Sequence, residues 1–207
     1  MTDHGKPLRE QDVAADPFAQ FDVWYREAED SDIRLAEAVA LATASADGAP
    51  SVRTVLIKGV DRRGFTFFTN YDSRKGRELA ANPRAALLFH WDALGRQVRV
   101  EGSVGRVSAE ETAAYARSRA RGSQLSALAS PQSEVIADRE VLERGVAELQ
   151  AEHREGELPV ADDWGGFRLT PEVFEFWQQR ADRLHDRLRY RPVGEDRGGW
   201  TIERLAP

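Results

Sequence analysis

Three groups of residues in this sequence have the types and spacing to hold an anion. The first lies in the stretch RTVLIKGVDRRGFTFFTNYDSRKGR, from Arg53 to Arg77. Ser73 can cap a helix, which puts Arg74 and Lys75 in its first turn. Cations there oppose the helix dipole. A bound phosphate would make them favourable, because free N–H groups, Arg and Lys all attract one. Arg53 and Lys58 add two cations at the ends of RTVLIK. A solvated, charged hairpin accounts for the same pattern. The second group is Tyr115, Arg119 and Ser123, spaced by four, which on one continuous helix share a face. Two hydroxyls flanking a guanidinium would clamp a phosphate; an exposed polar helix face is the alternative. The third is RLHDRLRY, residues 183–190. Strand alternation there sets Arg183, His185 and Arg187 on one face and Leu184, Asp186 and Leu188 on the other. Such a face either lines an anion site or meets solvent, and His185 could also be structural.

The elements that must position these groups are mostly strands. RTVLIK and FTFFTN are β-branched and aromatic, with the turn-like DRRG between them. AVALATAS (38–45) reads as a buried strand, and Asp47-Gly48 as the hairpin turn that follows. AALLFHW (85–91) and RQVRVEGSVGRV (96–107) read as two more strands, with Gln97, Arg99 and Glu101 on one face and Val98 and Val100 on the other. WGGFRLTPEVFEFWQQ, RLHDRLRY and WTIERLAP complete the strand-rich C-terminal part. Helices are expected from the Asp16-Pro17 start, with Phe18, Phe21, Trp24 and Tyr25 at helical spacing, over 73–81, from Ser108 with Glu111 in a capping box, and over 138–155. Residues 124–137 read as a loop, and 1–15 as a flexible arm ahead of one domain, 16–207. There is no repeated βα rhythm, so the expected fold is mainly β with helices: an antiparallel, Greek-key-like barrel carrying peripheral helices.

Composition narrows the chemistry. The 207 residues contain no cysteine, which removes disulfides, thiolate metal sites and a Cys nucleophile, and fits a cytoplasmic protein. No zinc spacing, glycine-rich phosphate loop, G-x-S-x-G or internal repeat is present, so no metal site is expected. No apolar run is long enough to span a membrane. A net charge of −6 with locally clustered arginines suits small anionic ligands better than nucleic acid.

Several motifs in order, RTVLIK, FFTNYDSRKGRELAANPR, RQVRVEG, Y-x-x-x-R-x-x-x-S, PQS, WGGFRL, EFWQ, RLHDRLRY and the final ERLAP, resemble the pyridoxine/pyridoxamine 5'-phosphate oxidase family from about Leu8 to Pro207. The resemblance implies an FMN-binding split barrel that works as a homodimer with the flavin at the subunit interface. It implies oxidation of pyridoxine and pyridoxamine 5'-phosphates to pyridoxal 5'-phosphate. A hydride would leave the substrate C4' for flavin N5, and O2 would reoxidise the flavin and give hydrogen peroxide. Carried over by position, Arg53, Thr54, Val55, Leu56, Ile57, Lys58, Phe68, Thr69, Arg74, Lys75, Gln97, Gln132, Ser133, Trp177 and Arg187 become FMN contacts. Lys58, Tyr115, Arg119 and Ser123 become the substrate-phosphate pocket, and Arg183, Leu184 and His185 lie at the substrate ring, with Arg183 and His185 as the catalytic pair.

The sequence departs from the family pattern at a few places. Ala120 stands where many members have Pro, Ser126 and Leu128 where Gly and Trp are common, and His90 where Pro is frequent. Gln178, Gln179 and Arg180 follow Trp177 where Gly is usual. Two other functions fit parts of the pattern. One is a related flavin oxidase of the phenazine-biosynthesis type, which would not require a phosphate clamp. The other is a non-catalytic FMN- or pyridoxal-phosphate-binding protein.

Overall fold

The computed structural model describes residues 7–194 and 199–207. Alternation decides most of the strands. In β1 (Ala38–Ala44), Val39 and Leu41 are buried while their neighbours are partly exposed. β2 (Pro50–Leu56) has no fully buried position, and the short β3 (Gly59–Asp61), which the sequence did not foretell, leads into the aromatic β4 (Gly64–Asn70). β5 (Arg84–Trp91) and β6 (Arg96–Arg106) form an antiparallel pair. The 15-residue β7 (Trp164–Gln178), β8 (Asp186–Pro192) and β9 (Trp200–Arg204) complete the sheet.

The strand order is β2-β1-β5-β6-β7-β4-β3, with β8 paired to β7 and β9 to β8, and every pairing is antiparallel. β7 organises this arrangement. Its first half pairs with β4, from Asn70 opposite Trp164 to Phe65 opposite Leu169, and its second half pairs with β8. β6 runs along both halves and carries a bulge at Glu101/Gly102, which bends the sheet. Gly102 is required there: a Cβ would lie 2.0 Å from the Thr170 carbonyl oxygen. The result is the antiparallel, barrel-like sheet with peripheral helices that the sequence led us to expect.

Helix α1 (Pro17–Glu29) starts as its cap implies, with Asp16 Oδ1 accepting from Phe18 N at 2.9 Å. Its apolar stripe closes the sheet. Phe21 meets Phe65 and Phe89 edge-on at 5.0 and 4.9 Å, and Trp24 meets Phe176 at 5.2 Å. Helix α2 (Arg74–Ala81) is capped by Ser73, and α3 (Ala109–Ser118) by the Ser108/Glu111 capping box. Among the described residues no helix is long and apolar enough to cross a membrane.

Three local expectations are corrected. Helix α3 ends at Ser118, and Arg119 is extended at φ −76°, ψ 149°, so Tyr115, Arg119 and Ser123 do not share one helix face. Ser123 instead lies in α4 (Arg121–Ala129), which replaces the first part of the loop expected over 124–137; α5 (Glu140–Glu152) packs beside it. Finally, RLHDRLRY does not begin as a strand. Residues Ala181–Arg183 form a 3-10 turn with positive φ at Asp182 and Arg183, and pairing starts only at Asp186. The alternation argument therefore does not apply to Arg183. In the segment expected as an arm, residues 7–15 lie against the C-terminal strands. Leu8 is buried, its N–H donates to Asp186 Oδ2 at 3.1 Å, and Tyr190 donates to the Ala14 carbonyl at 2.8 Å. Residues 1–6 of that segment are outside the described part.

Candidate functional site: a cleft with a cationic and an aromatic end

A cleft of about 860 Å³ opens between β2, β4, the start of α2 and the helices α3 to α5. β2 contributes Arg53, Thr54, Val55 and Leu56, followed by Lys58; β4 contributes Phe68 and Thr69; and Lys75, Tyr115, Arg119 and Gln132 complete the set of expected residues that it gathers. Ile57 does not line it. It follows the last residue of β2, and its side chain packs into the core, where it is 6% exposed.

One end of the cleft is cationic and largely buried. Lys75 Nζ donates to Thr69 Oγ1 at 3.0 Å, Ser73 Oγ at 3.4 Å and Gln132 Oε1 at 2.8 Å. None of these partners is a carboxylate. Burial, with Arg53 nearby, pulls the ammonium pKa down to about 8. A buried cation with only neutral partners has its charge uncompensated, and a bound anion would compensate it. The two arginines next to it are held by Glu78 at the back. Arg53 Nη2 lies 3.3 Å from Glu78 Oε2, and Arg74 Nε donates to Oε1 at 2.9 Å. Ser51 donates to the same carboxylate at 2.6 Å, and Thr43 also bonds it. Arg74 itself is exposed and does not line the cleft.

The other end is aromatic. The Phe68 and Tyr115 rings stack with centroids 3.9 Å apart, and Trp164 continues the stack at 5.7 Å from Phe68 and 6.2 Å from Tyr115. The Arg119 guanidinium lies 4.8 Å over the Trp164 ring. Burial raises the Tyr115 phenol pKa, with Arg119 acting in the opposite direction. Trp164 lines the cleft and was given no role by the sequence, although WGGFRL was conspicuous in it. The α5 face of Leu142, Val146, Ala147 and Gln150 was likewise missed, since an amphipathic period tells only that one side is covered.

The remaining expected residues lie elsewhere. Gln97, Trp177 and Arg187 are neighbours across three strands, because Gln97 pairs with Trp177 and Trp177 with Arg187. His185 packs on Trp177 with ring centroids 4.5 Å apart, and its Nδ1 accepts from Arg180 N at 3.1 Å. The neutral ring therefore carries its proton on Nε2. Arg183 and Leu184 project from the adjoining turn and are exposed. Arg187 is braced by Glu175 at 2.8 Å and by the Ala206 carbonyl at 2.8 Å. None of these six residues lines the cleft, nor do Ser123 and Ser133. Among the described residues no cluster of metal-ligating side chains occurs.

Comparison with known proteins gives this arrangement a family. Residues 26–153 match the family model described as pyridoxamine 5'-phosphate oxidase, and residues 164–207 match the one described as the pyridoxine 5'-phosphate oxidase C-terminal dimerisation region. The chain is 54% identical over 200 residues to the pyridoxine/pyridoxamine 5'-phosphate oxidase of Cupriavidus pinatubonensis, covering 97% of this chain and 93% of that one. It is 55% identical over 201 residues to the protein of the same name from Bordetella avium, with the same coverage. Among solved structures, PhzG from Burkholderia lata in complex with tetrahydrophenazine-1-carboxylic acid superposes with a TM-score of 0.90 at 33% identity, over 99% of this chain and 100% of that one. A pyridoxamine 5'-phosphate oxidase-related FMN-binding protein from Nostoc punctiforme shares the fold, with a TM-score of 0.72 at 17% identity over 94% of this chain and 100% of that one. On this footing, the chain belongs to the pyridoxine/pyridoxamine 5'-phosphate oxidase family and has its split-barrel fold.

Proposed function

We propose that this protein oxidises pyridoxine 5'-phosphate and pyridoxamine 5'-phosphate to pyridoxal 5'-phosphate, with FMN as cofactor and O2 as electron acceptor, giving H2O2. The observation that carries the reading is that one cleft is lined by two sets of cationic side chains. The buried Lys75, beside Arg53, forms one end, and Arg119 on Trp164 forms the other. A flavin phosphate and a substrate phosphate are the two anions that such a cleft would take.

The chemistry supplied by FMN when bound is two-electron redox: acceptance of a hydride and its delivery to oxygen. The residues of the chain do the rest. Arg53, Arg74, Lys75 and Gln132, with Ser133, would hold the cofactor phosphate, and Thr54 to Lys58, Phe68 and Thr69 would lie along the flavin. Lys58, Tyr115, Arg119 and Ser123 would anchor the substrate phosphate, and this anchoring fixes the reacting carbon. Arg183 and His185, with Leu184, would orient the substrate ring, His185 donating from Nε2.

This division needs two protomers. Gln97, Trp177, Arg187 and residues 183–185 lie outside the cleft, so a homodimer that brings them over a partner's cleft would complete each site. The match of residues 164–207 to a dimerisation region supports that arrangement. The Arg119 end argues against the phenazine-type reading, because a substrate without phosphate has no use for it.

The test is anaerobic addition of pyridoxine 5'-phosphate to the FMN-loaded protein while the visible flavin absorbance is followed. Bleaching that air reverses, with pyridoxal 5'-phosphate appearing, is the expected result. Firmly bound flavin that does not bleach would overturn the assignment in favour of another substrate or of a binding protein.

A further inference from the structure

We infer that Trp164 is the residue that makes this site selective for a phosphorylated substrate, acting as a positioning residue for Arg119. The inference rests on the function proposed above and goes beyond it by assigning selectivity to a side chain outside the expected set. Arg119 sits at a break between two helices. Its N–H donates to the Ala116 carbonyl at 3.2 Å, and its own carbonyl accepts from Gln124 Nε2 at 2.7 Å, so its backbone is held from both sides. Its side chain is not held in this way. Among the described residues the guanidinium has no ion pair and no hydrogen bond; it lies 4.8 Å over the Trp164 ring and near enough to Tyr115 to act on its phenol.

Trp164 is built to be a fixed platform. It is only 9% exposed, it begins β7 opposite Asn70, and its backbone N–H donates to the Ala161 carbonyl at 3.1 Å. Its ring is parallel to Tyr115 within 9° and to Phe68 within 17°. A guanidinium lying on an indole keeps its N–H groups in its own plane, free for an anion, while its charge is partly balanced by the ring. A carboxylate partner would hold the arginine equally well but would occupy the donors that a phosphate needs. Aromatic rather than ionic support thus keeps Arg119 both ordered and available, and Tyr115, in the same stack, is held beside it.

The test uses the FMN-loaded protein and two ligands that cannot be oxidised at C4', 4-deoxypyridoxine 5'-phosphate and 4-deoxypyridoxine. Binding is measured calorimetrically for wild type, Trp164→Phe, Trp164→Leu, Arg119→Ala and the double variants. Trp164→Leu should weaken the phosphorylated ligand about tenfold and leave the phosphate-free ligand and FMN affinity unchanged. Trp164→Phe, with a weaker but flat ring, should lose about threefold. Neither change should have a further effect once Arg119 is alanine, since the cycle then lacks the partner. Equal loss for both ligands, or the same loss in the Arg119→Ala background, would make Trp164 merely structural and overturn the inference. If Trp164→Leu does not fold, the Trp164→Phe cycle decides alone. If the wild type binds the two ligands equally, the phosphorylated-substrate reading itself falls, and this inference with it.

Discussion

Lys75 Nζ donates to Gln132 Oε1 at 2.8 Å, tying the first turn of α2 to a loop 57 residues further along the chain. Thr69 donates to the same oxygen at 2.9 Å. Gln132 thus accepts from two donors, and the ammonium is surrounded by neutral groups in a buried position. That arrangement costs stability, and a bound anion would offset the cost. The pKa of about 8 lies below the usual lysine range, so the folded protein binds fewer protons than the unfolded chain between those limits. Stability is therefore diminished at pH 7 and recovers as pH rises through that window. Lys75→Met should raise the melting temperature of the flavin-free protein at pH 7, and the gain should shrink toward pH 10. FMN affinity should fall at least about tenfold in the same variant. In the wild type, FMN affinity should decline above about pH 8, as followed by quenching of flavin fluorescence. A Lys75→Met protein less stable than wild type at pH 7 would contradict the argument.

Glu78 sets the opposite case. Burial alone would raise its pKa, but hydrogen bonds from Ser51, Thr43 and Arg74 outweigh burial and hold the carboxyl down at about 2. A depressed carboxyl contributes stability above its unfolded pKa and loses it as pH falls toward the folded value. Glu78→Gln should therefore be less stable than wild type at pH 7, with the difference vanishing between about pH 4 and 2. Because the amide oxygen still accepts from Ser51 and Arg53, FMN binding in that variant should change by only a few-fold. Glu78→Leu removes the carboxylate acceptors of Arg53 and Arg74, leaving Arg53 held by the Leu41 carbonyl, Thr43 and Ser51. It should weaken FMN by at least about tenfold while leaving riboflavin, which lacks the phosphate, unaffected. Parallel loss of both flavins would show damage to the fold rather than to the anion site.

Much of this was legible because local chemistry and tertiary context agree. The caps Asp16, Ser73 and Ser108 each start the helix that they signalled, and Val98 and Val100 are buried where alternation places them. Lys75 could be singled out as a candidate anion ligand because a cation in the first turn of a helix opposes the dipole unless an anion offsets it. Helix α4 was not legible. RGSQLSALA holds Gly122, Ser123 and Ser126, residues of modest helix propensity, and buries only Leu125; a helix of nine residues depends on α5 beside it. The break at Arg119 was hidden for a similar reason, since no Gly or Pro marks it. The turn at 181–183 was misread because Asp182 and Arg183 adopt positive φ without being glycine, and the alternation RLHDRLRY happens to continue through it. Separation of the site into two groups on one chain is a property of the three-dimensional sheet, which periodicity does not report.

Arg119→Ala should raise KM for pyridoxine 5'-phosphate by about tenfold or more while kcat at saturation changes little, because the phosphate lies away from the reacting carbon and its anchoring is common to ground and transition states. Steady-state oxygen uptake over a wide substrate range measures both constants. An unchanged KM would remove Arg119 from the phosphate end of the cleft, despite its place over Trp164.

Arg183 offers a test of how the two groups meet. It is exposed on a turn beside β8 and does not line the cleft that contains Arg119. Arg183→Leu should depress kcat/KM strongly and leave FMN affinity nearly unchanged, because among the described residues no contact within its own chain links it to the Lys75 end. If each site takes its cleft from one protomer and its 183–187 segment from the other, lesions in the two groups complement. Each homodimer of Arg119→Ala or of Arg183→Leu carries two damaged sites. A mixed dimer carries one site with both lesions and one with neither. Refolding the two variants together in equal amounts makes half the dimers mixed, so about a quarter of all sites should be intact and activity should recover to about a quarter of wild type. Activity that stays at the average of the two parents would place Arg119 and Arg183 in the same site from the same chain. The turn at 181–183 would then have to swing across its own protomer to reach the cleft.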